Sequence, residues 1–362
     1  MEGGRQDYRL WPANMALESV LLEFAKSVIG VLLVNVGTPE NYSFWTVRRY
    51  LSEFLSDRRV IEFPKILWTV ILHLFILNSR PQKIGQKFRL VWNYETNESL
   101  LRMTSRLQAT KTAERFRNEP VEIAWAFRYG NPTIDSTIQA LKEKGCDRLI
   151  LLPLFPQYSA ATTASTTDEA FKSLMKQRFQ MALRVIPAFY DNYLYIGAIK
   201  DSIKDKLDKI NTNPEVTVII SYHSIPLQFH LKGDPYGRHC LQTTELIKKR
   251  LAVDYKVNVL TSFHSRFGPF EWLKPYTDDL IVNLARSGKK RILMVAPGFI
   301  SDCFETIEEL EISGAKLFKD NGGEEFVYVR CLNDSKACID IIENVIRLHM
   351  QGFGTIAVNT AN

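Results

Sequence analysis

In VIISYHSIP, Val218 to Pro226, an apolar run ends in the polar cluster Ser221-Tyr222-His223-Ser224 and is closed by a proline. His223 there has two jobs open to it. It can be a structural hydrogen-bonder at a strand end, or a working group that titrates near neutral pH and binds divalent metals. A second capable set lies in APGFISDCFETIEELE, Ala296 to Glu311. Asp302 and Glu305 have the spacing of a capping box, which is the structural alternative for both. Glu305, Glu308 and Glu309 also share one helical face, with Phe304, Ile307 and Leu310 on the other. Such carboxylates can guide a hard cation or accept protons, with Asp302 and Glu309 extending a metal or proton path. Glu308 reads as part of a solvated acidic face, and His230 and His239, without ligand spacing, read as surface residues.

A third stretch is FPKILWTVILHLFILNSRPQK, Phe63 to Lys83. Nearly every residue from Ile66 to Leu77 is apolar, yet the run falls short of the roughly 20 residues that span a bilayer. One reading is a buried core helix. With Lys65 before it and Arg80 and Lys83 after it, the segment also suits a membrane-surface element or an apolar lip around a large flat ligand.

The elements that must position these groups follow from hydrophobic patterning. Apolar runs occur at Ile29–Val34, Val121–Phe127, Arg148–Leu154, Leu183–Pro187, Val216–Ser221, Val257–Ser262, Arg291–Ala296 and Phe326–Cys331. Helix-like segments lie between most of them, including Thr133–Lys144, Thr166–Gln177, Tyr236–Leu251, Pro275–Ser287 and Cys303–Phe318. Continuous apolar runs mean strands covered on both faces, and their alternation with helices means parallel βαβ units. The expected class is therefore α/β: two Rossmann-like halves, each a parallel four-stranded sheet flanked by helices, with a cleft between them. The expected division is an N-terminal extension over 1–28, halves over 29–187 and 188–334, and a C-terminal helix and tail over 335–362 packing back on the first half. Ligands of such sheets bind at the carboxyl ends of the strands. His223 and the loop after Ala296 both fall there. The first turn, NVGTPE, has no G-x-G-x-x-G, and no Walker A lysine occurs, so dinucleotide and nucleoside triphosphate binding both lose weight.

Composition bounds the rest. The 362 residues suffice for two halves with a core each, and 46% hydrophobic with 24% charged residues is ordinary for a soluble protein. A net charge of +6, spread along the chain, is too mild to indicate nucleic acid. The five cysteines form no C-x-x-C pair, which suggests reduced thiols in the cytoplasm. Residues 1–14 lack the apolar core of a secretory signal, and Met15 to Val36, interrupted by Glu18, Glu23 and Lys26, reads as a helix leading into a buried strand.

Ordered along the chain, LLVNVGTPE, RRYLSEFLSDRRVIE, AFRYGNP, LPLFPQYSAATTAS, SYHSIP, KGDPYGRHCLQT, SFHSRFGPFEWLKPYT and APGFISDCFETIEELE resemble the motifs of ferrochelatases, in their bacterial and particularly alphaproteobacterial form. The resemblance runs from about Val31 to Ser335. It implies insertion of Fe2+ into protoporphyrin IX, with His223 and Glu305 as the catalytic and metal-binding pair across the cleft. It places Val36, Arg80, Phe88, Arg128, Tyr129, Ser221, Tyr222 and Trp272 around the porphyrin, Arg80 near its propionates. Phe88 stands where many members have tyrosine, Leu100 where they have proline, and His264 where many bacterial members have glutamine. Animal members carry a two-iron cluster, but Ala160 occupies its internal cysteine position and no cysteine follows Cys338, so no cluster and no resident cofactor are expected. Ile66–Leu77 is the candidate contact with the inner face of the cytoplasmic membrane. The alternatives are coproporphyrin III as substrate, a cobalt or nickel chelatase, and a non-catalytic tetrapyrrole binder.

Overall fold

The structure, a computed structural model, describes residues 28–210, 216–266, 268 and 270–353. The expected N-terminal extension before residue 28 and the tail beyond residue 353 lie outside the described residues. In chain order the strands are β1 (Val28–Gly37), β2 (Trp92–Asn93), β3 (Glu98–Ser99), β4 (Val121–Tyr129), β5 (Cys146–Pro153), β6 (Ala182–Val185), β7 (Thr217–His223), β8 (Asn258–His264), β9 (Arg291–Val295) and β10 (Glu325–Val329). Each of the eight apolar runs has become a strand. They form two parallel four-stranded sheets, ordered β4-β1-β5-β6 and β10-β9-β7-β8. The short β2–β3 hairpin is antiparallel and was not anticipated; two residues per strand leave no pattern to read.

The sheets share one apolar core. Val31, Leu33, Ile150 and Leu152 of the first join Val218, Ile220, Leu293 and Val295 of the second, and Ile186 and Phe189 at the expected division belong to the same cluster. Burying such side chains contributes about 1.5–3 kcal/mol each, so the cluster binds the halves into one packing unit. The C-terminal helix Lys336–Met350, capped by Ser335 accepting from the Cys338 N–H, packs on helices Leu100–Phe116 and Tyr193–Leu207 and on β5. Outer faces are covered separately, by Ile134, Ile138 and Leu174 on the first sheet and by Ile281, Leu310 and Phe318 on the second.

Two helical segments depart from regular α geometry. The lip runs as helix Lys65–Ile71, a π-helical turn Leu72–Ile76, and helix Leu77–Leu90. Leu72 and Leu77 root it in a small core, while Leu67, Val70, Leu74 and Phe75 are exposed and Ile66 is 85% exposed. That exposure rules out a buried core helix. Among the described residues no helix is long and apolar enough to cross a membrane. The segment expected as one helix over Cys303–Phe318 is instead a π-helix, Glu305–Ser313, continued by α-helix Gly314–Asp320. The wider π turn, bonded i to i+5, brings residues four to five apart into line.

Candidate active site

The site begins at the last rung of the second sheet, where β7 and β8 pair in parallel register to His223 and His264. His223 Nδ1 lies 2.6 Å from the Ser224 carbonyl oxygen. A carbonyl only accepts, so Nδ1 carries the hydrogen and Nε2 of the neutral ring keeps its lone pair. His264 stands beside it, ring centres 5.7 Å apart and planes at 67°, with its other neighbour, Phe299, stacked at 5.8 Å. Burial first, and then the positive charge His223 carries whenever it is protonated, pull the His264 pKa well below the ordinary histidine value, so this ring is neutral.

Ser265, the next residue, donates to the Glu309 carboxylate. Burial pushes the Glu309 carboxyl up to about 7; Ser265 opposes the shift, and Glu305 and Glu308 add to it. Glu305 precedes Glu309 by four residues in the π-helix, half-buried, with the Cys303 thiol and the Tyr50 phenol for neighbours. Burial first and then the Glu305 charge raise both of those groups well above their ordinary values, so both stay protonated. A connected wall thus leads from the His223 imidazole through His264 and Ser265 to Glu309 and Glu305.

The sequence placed other groups differently. Glu308 is not solvated: it is buried and pairs with Lys87 of the lip helix at 2.8 Å. The Asp302–Glu305 capping box is absent, and the π-helix has no side-chain cap. Asp302 is fully buried instead, its carboxylate accepting from Thr306, Tyr328, Asn333 and the Cys331 N–H. Those four donors make it an anchor of the loop and take it out of the metal or proton path. His230 and His239 are half-buried; His239 accepts from the Tyr158 N–H at 3.2 Å and stacks on Tyr190.

Several expected porphyrin contacts sit behind the cleft surface. Ser221 is buried between His264 and Thr277, and Tyr222 is 0% exposed with its hydroxyl on Thr244. Phe88 is 6% exposed against Phe304, ring centres 4.9 Å apart, so its ring packs the wall and lacks the open face expected of a porphyrin contact. Arg128 and Tyr129 both donate to Asp57 Oδ2, at 2.6 and 2.8 Å, and Ser165 joins them. Tyr129 is 2% exposed. Burial acts against ionisation of Asp57, but the Ser165 and Arg59 hydrogen bonds and the Arg128 charge hold its carboxyl below the ordinary value. The pair therefore braces the loop after the Phe44–Leu55 helix. Sequence reading missed Asp57 and Ser165; both lay in the quoted motifs, but nothing in their spacing linked them. Val36 and Trp272 are half-buried, Val36 at the end of β1, and Arg80 is exposed on the lip helix. Next to Val36, Gly37 is irreplaceable: φ is +113°, and a Cβ would stand 1.8 Å from the Tyr129 carbonyl oxygen. At the Leu100 departure, Ser99 caps the helix by accepting from the Arg102 N–H at 3.2 Å, and Leu100 is its first residue, the N1 position that proline favours.

The chain matches the family model for ferrochelatase over residues 28–350. It is 47% identical over 326 residues to proteins named ferrochelatase from Rhizobium etli strain CIAT 652 and Agrobacterium fabrum, covering 90% of this chain and 94% of each. A third, from Rhizobium meliloti, is 46% identical over 90% of this chain and 96% of its own length. Among solved structures, SirB from Bacillus subtilis with Fe3+ aligns at a TM-score of 0.53 and 12% identity, over 88% of this chain and 94% of that one, a likeness of fold. A cobalt complex of the sirohydrochlorin chelatase SirB aligns at 0.51 and 12% identity, over 90% and 96%. Two parallel sheets with a histidine and carboxylates at one shared mouth, and this extent of matching sequence, lead to one conclusion: the chain belongs to the ferrochelatase family.

Proposed function

We propose that the cleft inserts Fe2+ into protoporphyrin IX to give protoheme, the last step of haem synthesis, with His223 and Glu305 as the working pair. A free-base porphyrin holds two pyrrole protons in a plane that shields its nitrogens. Insertion requires buckling the ring, removing both protons and delivering a partly dehydrated cation. The observation that carries the reading is the state of His223: its Nδ1 hydrogen is fixed on the Ser224 carbonyl, leaving the Nε2 lone pair to accept a pyrrole proton or bind the metal. Glu305 lowers the electrostatic cost of bringing a cation to that place, and Glu309 is a proton store beside it. Binding a distorted macrocycle better than a flat one supplies the differential binding that catalysis needs.

The exposed apolar lip favours protoporphyrin over the four-carboxylate coproporphyrin III. It also supports peripheral contact of Ile66–Leu77 with a membrane, the enzyme otherwise working in the cytoplasm. The reading includes no cluster and no other resident cofactor, because Ala160 offers no thiolate where cluster-bearing members have their internal cysteine. The test is porphyrin fluorescence in the presence of Fe2+ or Zn2+, which falls as metal enters. His223→Ala should abolish insertion while porphyrin binding persists. Equal loss of both would make the residue structural and sink the assignment. Porphyrin binding without metal-dependent turnover by the unaltered protein would leave a binder.

A further inference from the structure

His264, where many bacterial ferrochelatases have glutamine, is the residue the working pair leaves unexplained. It is 6% exposed, and its Nε2 has no hydrogen-bond partner. Leaving a buried polar atom unpaired is unfavourable, so one beside a reaction centre calls for a reason. Its hydrogen positions follow from a chain of hydroxyls. Thr277 donates its single hydroxyl hydrogen to Ser262 at 2.9 Å. Thr277 therefore accepts from Ser221, 2.8 Å away, and Ser221, its own hydrogen spent, must accept from His264 Nδ1 at 2.8 Å. The ring is thus held as the Nδ1–H tautomer. What remains on Nε2 is a bare lone pair.

We propose that His264 Nε2 is a second nitrogen donor for the incoming divalent cation, shared with His223 Nε2, and that it sets the metal preference of the site. This rests on the reading of His223 as a metal donor. Two imidazoles sharing a cation at about 2.1 Å from each nitrogen hold their ring centres about 5–6 Å apart at ordinary ligand angles. His223 and His264 stand at 5.7 Å. Both rings have Nδ1 tied down by a protein acceptor, the outer-shell arrangement that fixes a ligating histidine. Among the described residues no group of three or more His, Cys, Asp or Glu side chains is gathered as a closed metal site. Two imidazoles alone would leave positions on a divalent cation for water and then for the pyrrole nitrogens. Two imidazoles favour borderline cations such as Zn2+, Co2+ and Fe2+ over oxygen-seeking Mn2+ and Mg2+, and a glutamine in place of His264 would offer a harder amide oxygen.

The experiment is calorimetric titration of the full chain with Zn2+ in the absence of porphyrin, paired with the ratio of kcat/KM for Zn2+ and Fe2+ insertion. His264→Gln should weaken Zn2+ binding about tenfold or more and lower the Zn2+-to-Fe2+ ratio. Ser221→Ala keeps the imidazole but removes the acceptor that fixes its tautomer, and should move both readings the same way, by about tenfold in affinity. Circular dichroism checks folding; if His264→Gln does not fold, Ser221→Ala decides. Zn2+ affinity within twofold of the unaltered protein and an unchanged metal ratio would overturn the inference. Failure of the unaltered protein to metallate porphyrin would strike the proposed function instead, and the Zn2+ titration would still report on the two histidines.

Discussion

Replacing Asp57 by asparagine should be among the more damaging single changes to this protein. The Asp57 carboxylate receives Arg128 Nη2 at 2.6 Å, the Tyr129 hydroxyl at 2.8 Å and the Ser165 hydroxyl, all on one oxygen. Asparagine keeps one acceptor but removes the charge that faces a largely buried guanidinium. Breaking a buried ion pair by removing one partner costs about 3–5 kcal/mol. Glu169, 3.9 Å from Arg128, offers a weaker substitute, which places the expected loss near the lower end, about 3 kcal/mol. Urea denaturation at pH 7 measures it. The sign with pH follows from the lowered Asp57 pKa. A carboxyl depressed by folding contributes stability that is complete above its unfolded value, about 4, and is lost as pH falls through the folded value. The gap between the unaltered protein and Asp57→Asn should therefore be full at pH 7 and shrink below about pH 4. A cost under about 1 kcal/mol at pH 7, or a gap that widens in acid, would refute the argument.

Three further outcomes are expected. Glu309 has the opposite sign: its carboxyl is lifted from 4.5 to about 7, so stability falls as pH rises through that window, by at most about 3 kcal/mol. Glu309→Gln should raise the melting temperature at pH 8 and leave it nearly unchanged at pH 5; equal destabilisation at both would mean the ionised form is favoured by the fold. Leu100→Pro should hold stability within about 1 kcal/mol, because Ser99 at φ −68° and ψ 148° already has the extended backbone that precedes proline; a loss above about 2 kcal/mol would show that the Leu100 side chain governs this turn. Ile66→Glu combined with Leu74→Glu should weaken binding to phosphatidylglycerol vesicles in a flotation assay without lowering the melting temperature, since both side chains are exposed; unchanged flotation would remove the lip from the membrane contact.

Much of the fold and part of the site is legible in the sequence. The eight strands were legible because each is covered on both faces and so must be a continuous apolar run. His223 was legible because a polar cluster at the end of such a run falls where open sheets bind ligands. The acidic helix was legible in composition but not in geometry: a regular α period put Glu308 with the solvated face, while the π-helix buries it against Lys87. Asp302 looked like a cap or a path residue because one-dimensional spacing does not reveal donors from Tyr328, Cys331 and Asn333, over 25 residues away in the chain. Ser221, Tyr222 and Phe88 lay beside the right motifs, but alternation along a strand and packing beneath Phe304 decided which way each faces.

The sequence by itself determined the α/β class, the parallel strands, the histidine at the mouth and the family resemblance, all carried by local patterns of residue type. Only the tertiary structure decided the shared core of the two sheets, the Asp57–Arg128 brace and the His223–His264 pair. The physical reason is range. Hydrophobic period and turn chemistry act over a few residues, whereas burial, hydrogen-bond satisfaction and charge pairing depend on groups brought together only after the chain has folded.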